Sequence, residues 1–356
     1  MGNDCDQFSL EKYDFGLPKE LIAQHPVEPR DESRLLVVNR SNGQISETQF
    51  SSIGEFLKPG DLLVANNSKV IPARLLGARP ETGGKIEFLL LGEIEPNVWR
   101  GLMRSSARIN VGFRFEVSSQ NGGSPLIGVV IEGGREPVVR FNKNPLIDGF
   151  GSIPLPPYIR GGIESVGDRD SYQTVFAKTP GSSAAPTAGL HFTSSLIDSI
   201  KNDGIEWEEA TLHIGLGTFR PLQSEDIRNH QMHSERYEIS AELSEKLLMK
   251  LSRQARGEGE DSRIIAVGTT SLRTIESAAL KEFAPGLHET DIYFYPGAER
   301  KFTTVGGLVT NFHLPKSSLY LLVCAFAGSD LMTRAYQYAI ENRFRFYSYG
   351  DAMLII

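Results

Sequence analysis

The chain has 356 residues, of which 40% are hydrophobic and 23% charged, as is typical of a globular protein of about two domains. A net charge of −7 argues against a surface coated for nucleic-acid binding, although a local basic groove needs only a few Lys and Arg residues. Two cysteines provide no disulfide framework and no cysteine metal cluster. The longest apolar run, Leu319–Ala327, is too short to span a bilayer, and the N-terminus lacks a basic-plus-apolar signal, so we expect a cytoplasmic protein.

The N-terminal part predicts alternating short helices and strands. Phe8–Gln24 contains a short helix with Pro near its first turn, and Arg34–Asn39 is a strand that ends before an Asn-Gly turn. Phe50–Leu57 is predicted to be a helix, and Leu62–Asn66 a second buried strand. This is the pattern of an α/β domain.

The pattern changes between residues 68 and 154. Segments of four to eight residues alternate in polarity and are divided by Gly-rich turns, which predicts a small all-β barrel or sandwich, of which we choose the barrel. Because α/β patterns lie on both sides, the barrel is predicted to be inserted into a host domain. The predicted fold is therefore a discontinuous α/β host of residues 1–67 and 155–356 with a mixed, barrel-like sheet, and an inserted β-barrel of residues 68–154.

Two histidines stand at the ends of predicted elements in the middle of the chain. His191 directly precedes an amphipathic helix, and His213 lies where an alternating strand ends in the segment His213–Phe219. Small residues surround both. Ligands of α/β proteins usually bind in the crevice beyond the strand ends, so we expect both histidines at the active site.

The C-terminal half continues the α/β pattern. In chain order it predicts a helix at Ser240–Ala255, a strand at Arg263–Val267, a helix at Leu272–Leu280, a strand at Asp291–Tyr295, a helix through Ala327, a helix at Asp330–Asn342 and a strand-like end at Arg343–Tyr347.

Gly268, Thr269 and Thr270 connect a strand to a helix and offer backbone N–H groups at the positive end of a helix dipole. They suit an anion such as a carboxylate. The alternative is ordinary capping of the helix by a Thr or Ser side chain. Arg273 adds a cation on the same helix, although an ion pair with Glu276 at the surface is an alternative for it.

The histidines can serve as acid or base, because imidazole titrates near neutral pH. His313, in Asn-Phe-His-Leu-Pro, repeats the setting of His191 and His213. The alternative for each is a hydrogen-bonded core histidine. No carboxylate or Cys lies at ligand spacing near them, so no metal is predicted. His230 and His233 resemble a helical i, i+3 pair beside Glu235 and Arg236. Metal ligation, a polar surface turn and substrate contact by Glu235 and Arg236 are all open.

Four basic residues are predicted to contact RNA phosphates. Lys69 and Arg74 alternate with apolar residues in the predicted barrel, and a small β-barrel with a basic face is a common RNA-binding platform. Lys316 and Arg343 are the corresponding residues of the host, where Arg334 and Arg345 are further candidate phosphate contacts. The alternative is that these charges are only solvated.

Several motifs together resemble the S-adenosylmethionine:tRNA ribosyltransferase-isomerases of queuosine biosynthesis. The resemblance extends from Phe8 to Ile356 with the blocks in the same order. The motifs are DFGLPKELIAQHPVEPRDESRLLV, GDLLVANNSKVIPARL, AAPTAGLHFT, TLHIGLGTFRP, MHSERYEI, VGTTSLRTIES, TDIYFYPG, NFHLPKSSL and YSYGDAMLI.

The resemblance implies that S-adenosylmethionine is a consumed substrate and that no cofactor is needed. Its ribosyl part moves to 7-aminomethyl-7-deazaguanine at the tRNA wobble position, which gives epoxyqueuosine and releases adenine and methionine. His191 and His213 would then be base and acid in either order. Arg273 and the N–H groups of Gly268–Thr270 would bind the methionine carboxylate. Asn311, His313 and Asp351 would bind adenine or ribose hydroxyls.

This sequence departs from the family pattern at two places. Asn67 stands where relatives more often have an acidic residue, which weakens a catalytic role at that position, and Ser183 replaces an apolar residue. Two other functions stay open: a non-catalytic tRNA-binding protein, and an S-adenosylmethionine-dependent methyltransferase of unusual fold, since no GxGxxG motif opens a βαβ unit. We expect a monomer.

Overall fold

A computed structural model describes residues 6–119, 121–147, 149–215, 222, 224–258 and 262–356. The chain forms two compact units. The first comprises Met1–Ser68, Ser171–Thr179 and Pro186–Ile356, and the second Lys69–Asp170 and Pro180–Ala185. The second unit thus includes segments beyond the predicted 68–154. The end of the motif at His213–Phe219 lies outside the described residues from position 216 onward.

The strands are, in chain order, β1 (Arg34–Val38), β2 (Ile45–Gln49), β3 (Leu62–Asn66), β4 (Ser68–Val70), β5 (Arg74–Ala78), β6 (Lys85–Glu95), β7 (Val98–Ser105), β8 (Arg114–Val117), β9 (Leu126–Glu132), β10 (Val138–Phe141), β11 (Gly151–Ser152), β12 (Thr179–Ser182), β13 (Glu206–Leu212), β14 (Glu235–Ile239), β15 (Ile264–Val267), β16 (Gly286–Thr290), β17 (Gly307–Asn311) and β18 (Ala352–Ile355). The α-helices are α1 (Asp168–Ser171), α2 (Ser194–Asn202), α3 (Ala241–Ala255), α4 (Thr269–Ala279), α5 (Ser318–Ala327) and α6 (Ser329–Glu341). Short 3-10 helices include Lys19–Leu21, Arg30–Glu32, Phe50–Phe56, Thr187–His191 and Ile227–Asn229.

The first unit contains a mixed sheet with the strand order β16-β14-β13-β3-β15-β17-β18-β1-β2. Its centre, β13-β3-β15-β17, is parallel, whereas β18 and β1 run antiparallel to β17. A mixed sheet was predicted, but within the described residues this one is not closed like a barrel, because β16 and β2 are edge strands that do not pair with each other.

The central strands are apolar because both faces of the sheet are covered. Every residue of β3, β15, β17 and β18 is buried. On one face, Leu63, Ile265 and Val309 form a core cluster with Ile197 and Ile200 of α2. Helix α4 packs against β13, β3, β15 and β17, and its residues do not belong to that cluster, so it covers the other face. Burial on both faces fixes the strand ends in position.

Side-chain caps set the start of two predicted helices. Thr193 Oγ1 accepts a hydrogen bond from the Leu196 N–H at 3.2 Å and begins α2. Ser240 Oγ accepts from the Leu243 N–H at 3.1 Å and begins α3. Within the described residues no helix combines the length and apolar character that crossing a bilayer requires.

The second unit contains a ring of strands. Strands β5, β6, β7, β10, β9 and β8 pair in that order, and β8 returns to β5 where Glu116 lies opposite Ala78. Phe88, Phe115 and Phe141 pack together with ring centroids 5.8 to 6.1 Å apart. The ring thus has an aromatic core of its own.

The structure corrects two predicted strands. Asp291–Tyr295 is not a strand; β16 ends at Thr290, one residue earlier, because its pairing with β14 ends there. Arg343–Tyr347 is not a strand either, since Arg343 and Tyr347 both have positive φ, of 56° and 71°, which an extended chain does not adopt. Strands β14 and β17 were not predicted.

Candidate active site

The carboxyl ends of the parallel strands β13, β3, β15 and β17 meet at one edge of the sheet. His213, Asn66, Gly268 and Asn311 lie at these ends. Because β18 and β1 run the opposite way, their first residues come to the same edge, preceded by Asp351 and Ser33 respectively. The crevice outside this edge is the usual ligand site of an α/β sheet.

His191 is the last residue of the 3-10 helix Thr187–His191. The backbone can fold closely here because Gly189 has no side chain: a Cβ at Gly189 would come within 2.7 Å of the Phe176 ring and 2.9 Å of the Thr174 methyl. Any side chain at position 189 would therefore clash with Phe176 and Thr174 and move His191 away from its present position.

Both ring nitrogens of His191 have polar partners. Nδ1 lies 2.7 Å from Ser33 Oγ and Nε2 lies 3.0 Å from Asn311 Nδ2, while the ring stacks near Phe50. Burial, reinforced by the charges of Arg345 and Arg30, lowers the pKa of His191 from 6.5 to about 3. The imidazole is therefore neutral at neutral pH.

The Asn311 amide determines the tautomer of His191. When Asn311 Nδ2 donates to Nε2, the proton of the neutral ring is on Nδ1 and is donated to Ser33 Oγ. In this orientation Asn311 Oδ1 is buried with no hydrogen-bond partner. A half-turn of the amide would place Oδ1 on a protonated Nε2 instead. The two forms differ in which nitrogen can accept a proton.

The start of α4 has the strained geometry that glycine permits. Gly268 has φ of 94°, and its N–H donates to Val309 O at 2.8 Å. The helix begins at Thr269, three residues earlier than predicted, and no side chain in the described contacts caps it at Gly268. Ser271 Oγ instead donates to Val267 O at 2.8 Å. The alternative, in which a Thr or Ser side chain caps the start of this helix, is therefore wrong.

Arg273 is buried rather than open to a substrate. Its side chain is 2% exposed, its Nη1 forms an ion pair with Glu235 Oε2, and its Nε donates to Ile292 O at 3.3 Å. Glu235 Oε1 also accepts the Gly215 N–H at 3.1 Å. A substrate carboxylate would have to compete with Glu235 for this guanidinium.

The alternative of a surface ion pair between Arg273 and Glu276 is wrong, since both side chains are buried and have different partners. The Glu276 carboxylate accepts hydrogen bonds from the backbone N–H groups of Thr303, Thr304 and Val305 at 2.9 to 3.0 Å. Glu276 therefore holds a loop in place.

His213 lies at the same edge as His191 but does not contact it. The end of β13 and the end of β17 are separated by β3 and β15, which corresponds to roughly 14 Å at the usual strand spacing. His213 is half-buried, and its Nδ1 has no hydrogen-bond partner among the described residues. Burial, then the charge of Arg236, lowers its pKa, while Glu238 raises it. The two histidines can reach a common substrate only if it extends across the edge.

The side chains of His313 and Asp351 form hydrogen bonds with other groups of the protein. His313 Nε2 lies 2.8 Å from Thr310 Oγ1, and burial lowers the pKa of His313 to about 3. Asp351 accepts the N–H groups of Arg34 at 3.1 Å and Arg345 at 2.7 Å. Burial raises the pKa of Asp351, although these hydrogen bonds and the Arg345 charge oppose it. Both residues shape the edge, and their contacts seen here are with protein groups.

A pocket opens beside His191 within the first unit. It is lined by Pro26, Val27, Arg30, Ser33, Ser171, Leu190, His191, Arg345, Ser348, Tyr349 and Gly350. Two guanidinium groups, three hydroxyl-bearing serines and the neutral imidazole therefore face one cavity. Such a set recognises an anion beside a group that can exchange a proton.

The predicted RNA-binding residues of the first unit differ in their contacts. Lys316 Nζ forms ion pairs with Glu11 at 2.7 Å and Asp14 at 2.9 Å, which raise the pKa of Lys316. Arg343 is exposed. A phosphate would have to displace Glu11 and Asp14 from Lys316, whereas Arg343 lies open to solvent.

In the second unit, Lys69 is exposed. Arg74 is less accessible: its Nε donates to Glu87 Oε1 at 2.9 Å, and its Nη1 bonds to Gly162 O. Lys69 is thus the more available of the two cations.

His230 and His233 do not form the expected helical pair. The 3-10 helix ends at Asn229, and His230 is extended, with φ of −75° and ψ of 133°. Its ring lies beside Tyr293, with centroids 5.2 Å apart. Among the described residues no group of three or more His, Cys, Asp and Glu side chains could hold a metal ion.

Several residues of the site were not predicted from the sequence. Ser33 and Arg30 reach His191 or its pocket from distant segments. Arg345, predicted as a phosphate contact, lines this pocket, and Glu235, a candidate substrate contact, pairs with Arg273. Asn66 ties β3 to β13, since its side chain bonds both the N–H and the C=O of Leu212. Ser33 directly precedes one predicted strand and Asn66 ends another. Polar residues at strand ends are typical of binding sites, so both could have been found from the sequence.

A mixed sheet with a polar pocket at the carboxyl edge of its parallel strands is typical of a ligand-binding protein of the α/β class. His191, Arg30 and Arg345 line this pocket together, which indicates an enzyme. Comparison with known proteins is more specific. The model of the family described as queuosine biosynthesis protein matches residues 10–355.

The S-adenosylmethionine:tRNA ribosyltransferase-isomerase of Thermoanaerobacter sp. is 46% identical over 351 residues, which cover 96% of this chain and 98% of that protein. The enzyme of the same name from Halothermothrix orenii is 46% identical over 357 residues, 98% of this chain and 99% of the relative. The crystal structure of the S-adenosylmethionine tRNA ribosyltransferase of Thermotoga maritima is similar, with a TM-score of 0.53 and 36% identity over 97% of this chain and 100% of that one. The chain belongs to the queuosine biosynthesis protein family, which confirms the predicted family and enzyme class.

Proposed function

We propose that this protein transfers and isomerises the ribosyl part of S-adenosylmethionine onto 7-aminomethyl-7-deazaguanine at the wobble position of tRNA. The products are epoxyqueuosine in tRNA, adenine and methionine. The observation that carries the proposal is similarity to the ribosyltransferase-isomerases over almost the whole chain. A neutral, buried histidine beside a polar pocket supports it.

The chemistry requires a base and an acid. The positive sulfur acidifies the adjacent 5′-carbon, so a base can remove a proton there, and adenine must receive a proton as it departs with the glycosidic electron pair. We assign the role of the base to His191, because it lines the pocket and its neutral ring carries one unprotonated nitrogen. His213, half-buried at the other end of the edge, is the candidate acid. S-adenosylmethionine is consumed, and no cofactor or metal enters these steps.

The edge of the sheet offers contacts for the nucleoside. The N-terminus of α4 provides backbone N–H groups, and the ends of β17 and β18 provide an amide, an imidazole and a carboxylate for adenine or ribose hydroxyls. These contacts are assigned to Thr269, Thr270, Asn311, His313 and Asp351. The N–H of Gly268 donates to Val309 O, so Gly268 contributes the turn that presents the next two residues.

The RNA is proposed to bind through both units. The ring of strands in the second unit acts as the inserted all-β barrel that faces RNA, with exposed Lys69 as its first contact and Arg74 behind it. Arg343 and Lys316 of the first unit add phosphate contacts. We further propose a cytoplasmic monomer.

One chromatographic experiment separates the three candidate functions. The purified chain is incubated with S-adenosylmethionine and tRNA that carries 7-aminomethyl-7-deazaguanine, and small molecules are resolved. Adenine with methionine supports the proposal. S-adenosylhomocysteine would instead indicate a methyltransferase, and tRNA binding with no small-molecule product would indicate a non-catalytic binding protein.

The two histidines are tested singly by His191→Ala and His213→Ala. Adenine release should fall by about 10² to 10⁴-fold in each, the usual contribution of a positioned acid or base. His233→Ala, an exposed histidine, is the control. Wild-type turnover in either test variant would remove that histidine from the mechanism.

A further inference from the structure

The pocket beside His191 has an unusual balance of charge. Among the described residues that line it, two are arginines, Arg30 and Arg345, and none is Asp or Glu. Ser33, Ser171 and Ser348 add hydroxyl groups. A cavity with two guanidinium groups and hydroxyl donors is suited to an oxyanion.

Backbone carbonyls hold both guanidinium groups in place. Arg345 Nη1 donates to His25 O at 3.2 Å and its Nη2 to Tyr349 O at 2.8 Å, while Arg30 Nη1 donates to Gln173 O at 2.5 Å. These carbonyl oxygens fix the orientation of each guanidinium group. The two side chains are thus oriented in advance for an anion.

The charges of Arg345 and Arg30 act on His191, which lines the same pocket. Arg345 and Arg30 are, after burial, the causes that lower the pKa of His191. The carboxylate of Asp351 lies 3.7 Å from Arg345 Nε, but Asp351 already accepts two backbone N–H groups. Arg345 and Arg30 therefore both lie close enough to the imidazole to affect its pKa.

We propose that Arg345, together with Arg30, binds the carboxylate of the methionine half of S-adenosylmethionine. This rests on the proposed function and deepens it. The carboxylate is the only anionic group of that substrate, and it lies a few bonds from the sulfur whose neighbouring carbon His191 must reach. Arg273 is less suited, because Glu235 already occupies it and its side chain is 2% exposed, against 34% for Arg345.

The test combines a change in the protein with the matching change in the ligand. Binding of S-adenosylmethionine and of decarboxylated S-adenosylmethionine to the full chain is measured by calorimetry without tRNA. The variants are Arg345→Met, Arg345→Lys and Arg30→Met. The control is Arg256→Met, which removes an exposed arginine that pairs with Glu258.

Wild type and Arg256→Met should bind S-adenosylmethionine about 10 to 100-fold more tightly than the decarboxylated compound, the range for hydrogen bonds to a charged group. Arg345→Met should bind both compounds about equally, and Arg345→Lys and Arg30→Met should keep part of the difference. If Arg345→Met is unfolded by circular dichroism, the lysine variant and Arg30→Met decide the question.

An undiminished preference for the carboxylate in these variants would overturn the proposal. Unchanged S-adenosylmethionine affinity together with a loss of tRNA affinity, measured separately by filter binding, would also overturn it and would indicate a phosphate site. These results leave the proposed function intact if the wild type still releases adenine. A wild type that binds neither compound and releases no adenine would overturn both proposals.

Discussion

At the scale of single residues, His191 shows how a fold changes the chemistry of a side chain. A histidine in water titrates near pH 6.5, whereas this one lies between Ser33 and Asn311, over Phe50, with two arginines nearby. Burial and the charges of the two arginines keep the ring neutral, and the contacts with Ser33, Asn311 and Phe50 fix its orientation. Neutral imidazole can accept a proton, and its acceptor nitrogen depends on the Asn311 amide.

Acid stability tests this environment. The pKa of His191 is lowered from 6.5 to about 3, so between these pH values the unfolded chain binds more protons and the free energy of unfolding falls as pH falls. The slope per such group approaches about 1.4 kcal/mol per pH unit. His191→Asn should lose this contribution, leaving that of His313, whose pKa is lowered in the same way.

The measurement is urea unfolding at pH 7, 5.5 and 4.5, with the exposed His233→Asn as control. The difference in unfolding free energy between wild type and His191→Asn should shrink as the pH falls. A constant difference across this range would mean that His191 is not buried as a neutral ring.

At the scale of elements, α4 is the most deeply embedded helix near the site. It is amphipathic by sequence, yet Arg273 and Glu276 are both buried. Arg273 ties α4 to β14 through Glu235, and Glu276 holds the backbone of the loop before β17. The charged face of this helix therefore packs on protein and not on solvent.

Breaking the tie between α4 and β14 should be costly. Arg273→Met leaves the Glu235 carboxylate buried without its partner, which costs about 3–5 kcal/mol of unfolding free energy. Replacing both, as Arg273→Met with Glu235→Leu, should recover much of this loss. Thermal and urea unfolding measure both variants.

Arg256→Met is the matched control, because its pair with Glu258 is exposed and should contribute less than about 1 kcal/mol. Equal losses for Arg273→Met and Arg256→Met would contradict the buried pair. A double variant no more stable than Arg273→Met would show that the cost is one of packing and not of charge.

At the scale of the whole molecule, the protein divides its proposed tasks between two units. The first carries the sheet edge, the pocket and the histidines, and the second is a ring of strands with an aromatic core of its own. A net charge of −7 means that RNA affinity must come from a few local cations, of which Lys69 is exposed.

Salt dependence tests the contact assigned to Lys69. Lys69→Met should weaken tRNA binding and reduce the slope of log affinity against log salt by about 0.7 to 1, as expected when one phosphate contact is lost. The tRNA affinity is measured by filter binding at salt concentrations between about 50 and 200 mM, where phosphate contacts change the affinity strongly. Lys85→Met, another exposed lysine of the second unit, is the control. An identical slope in both variants would exclude Lys69 from the RNA interface.

Much of the fold could be predicted because its signals are local. The apolar runs of β1, β3 and β15, the capped helices α2 and α3, and the alternating strands of the ring depend on neighbouring residues and their spacing. Strands β14 and β17 were missed because ERYEI and GLVTN are short and contain polar residues or glycine, and only pairing in the sheet makes them strands.

The sequence alone determined that histidines stand at element ends and that the chain belongs with the ribosyltransferase-isomerases. Only the tertiary structure decided their partners. Ser33 is 158 residues from His191 and Asn311 is 120, and the order of strands in the sheet brings both to one imidazole. The same order of strands brings Glu235 to Arg273 and places Arg345 at the pocket. Local spacing fixes which residues end an element, but strand order, set by burial across the whole sheet, fixes which ends meet.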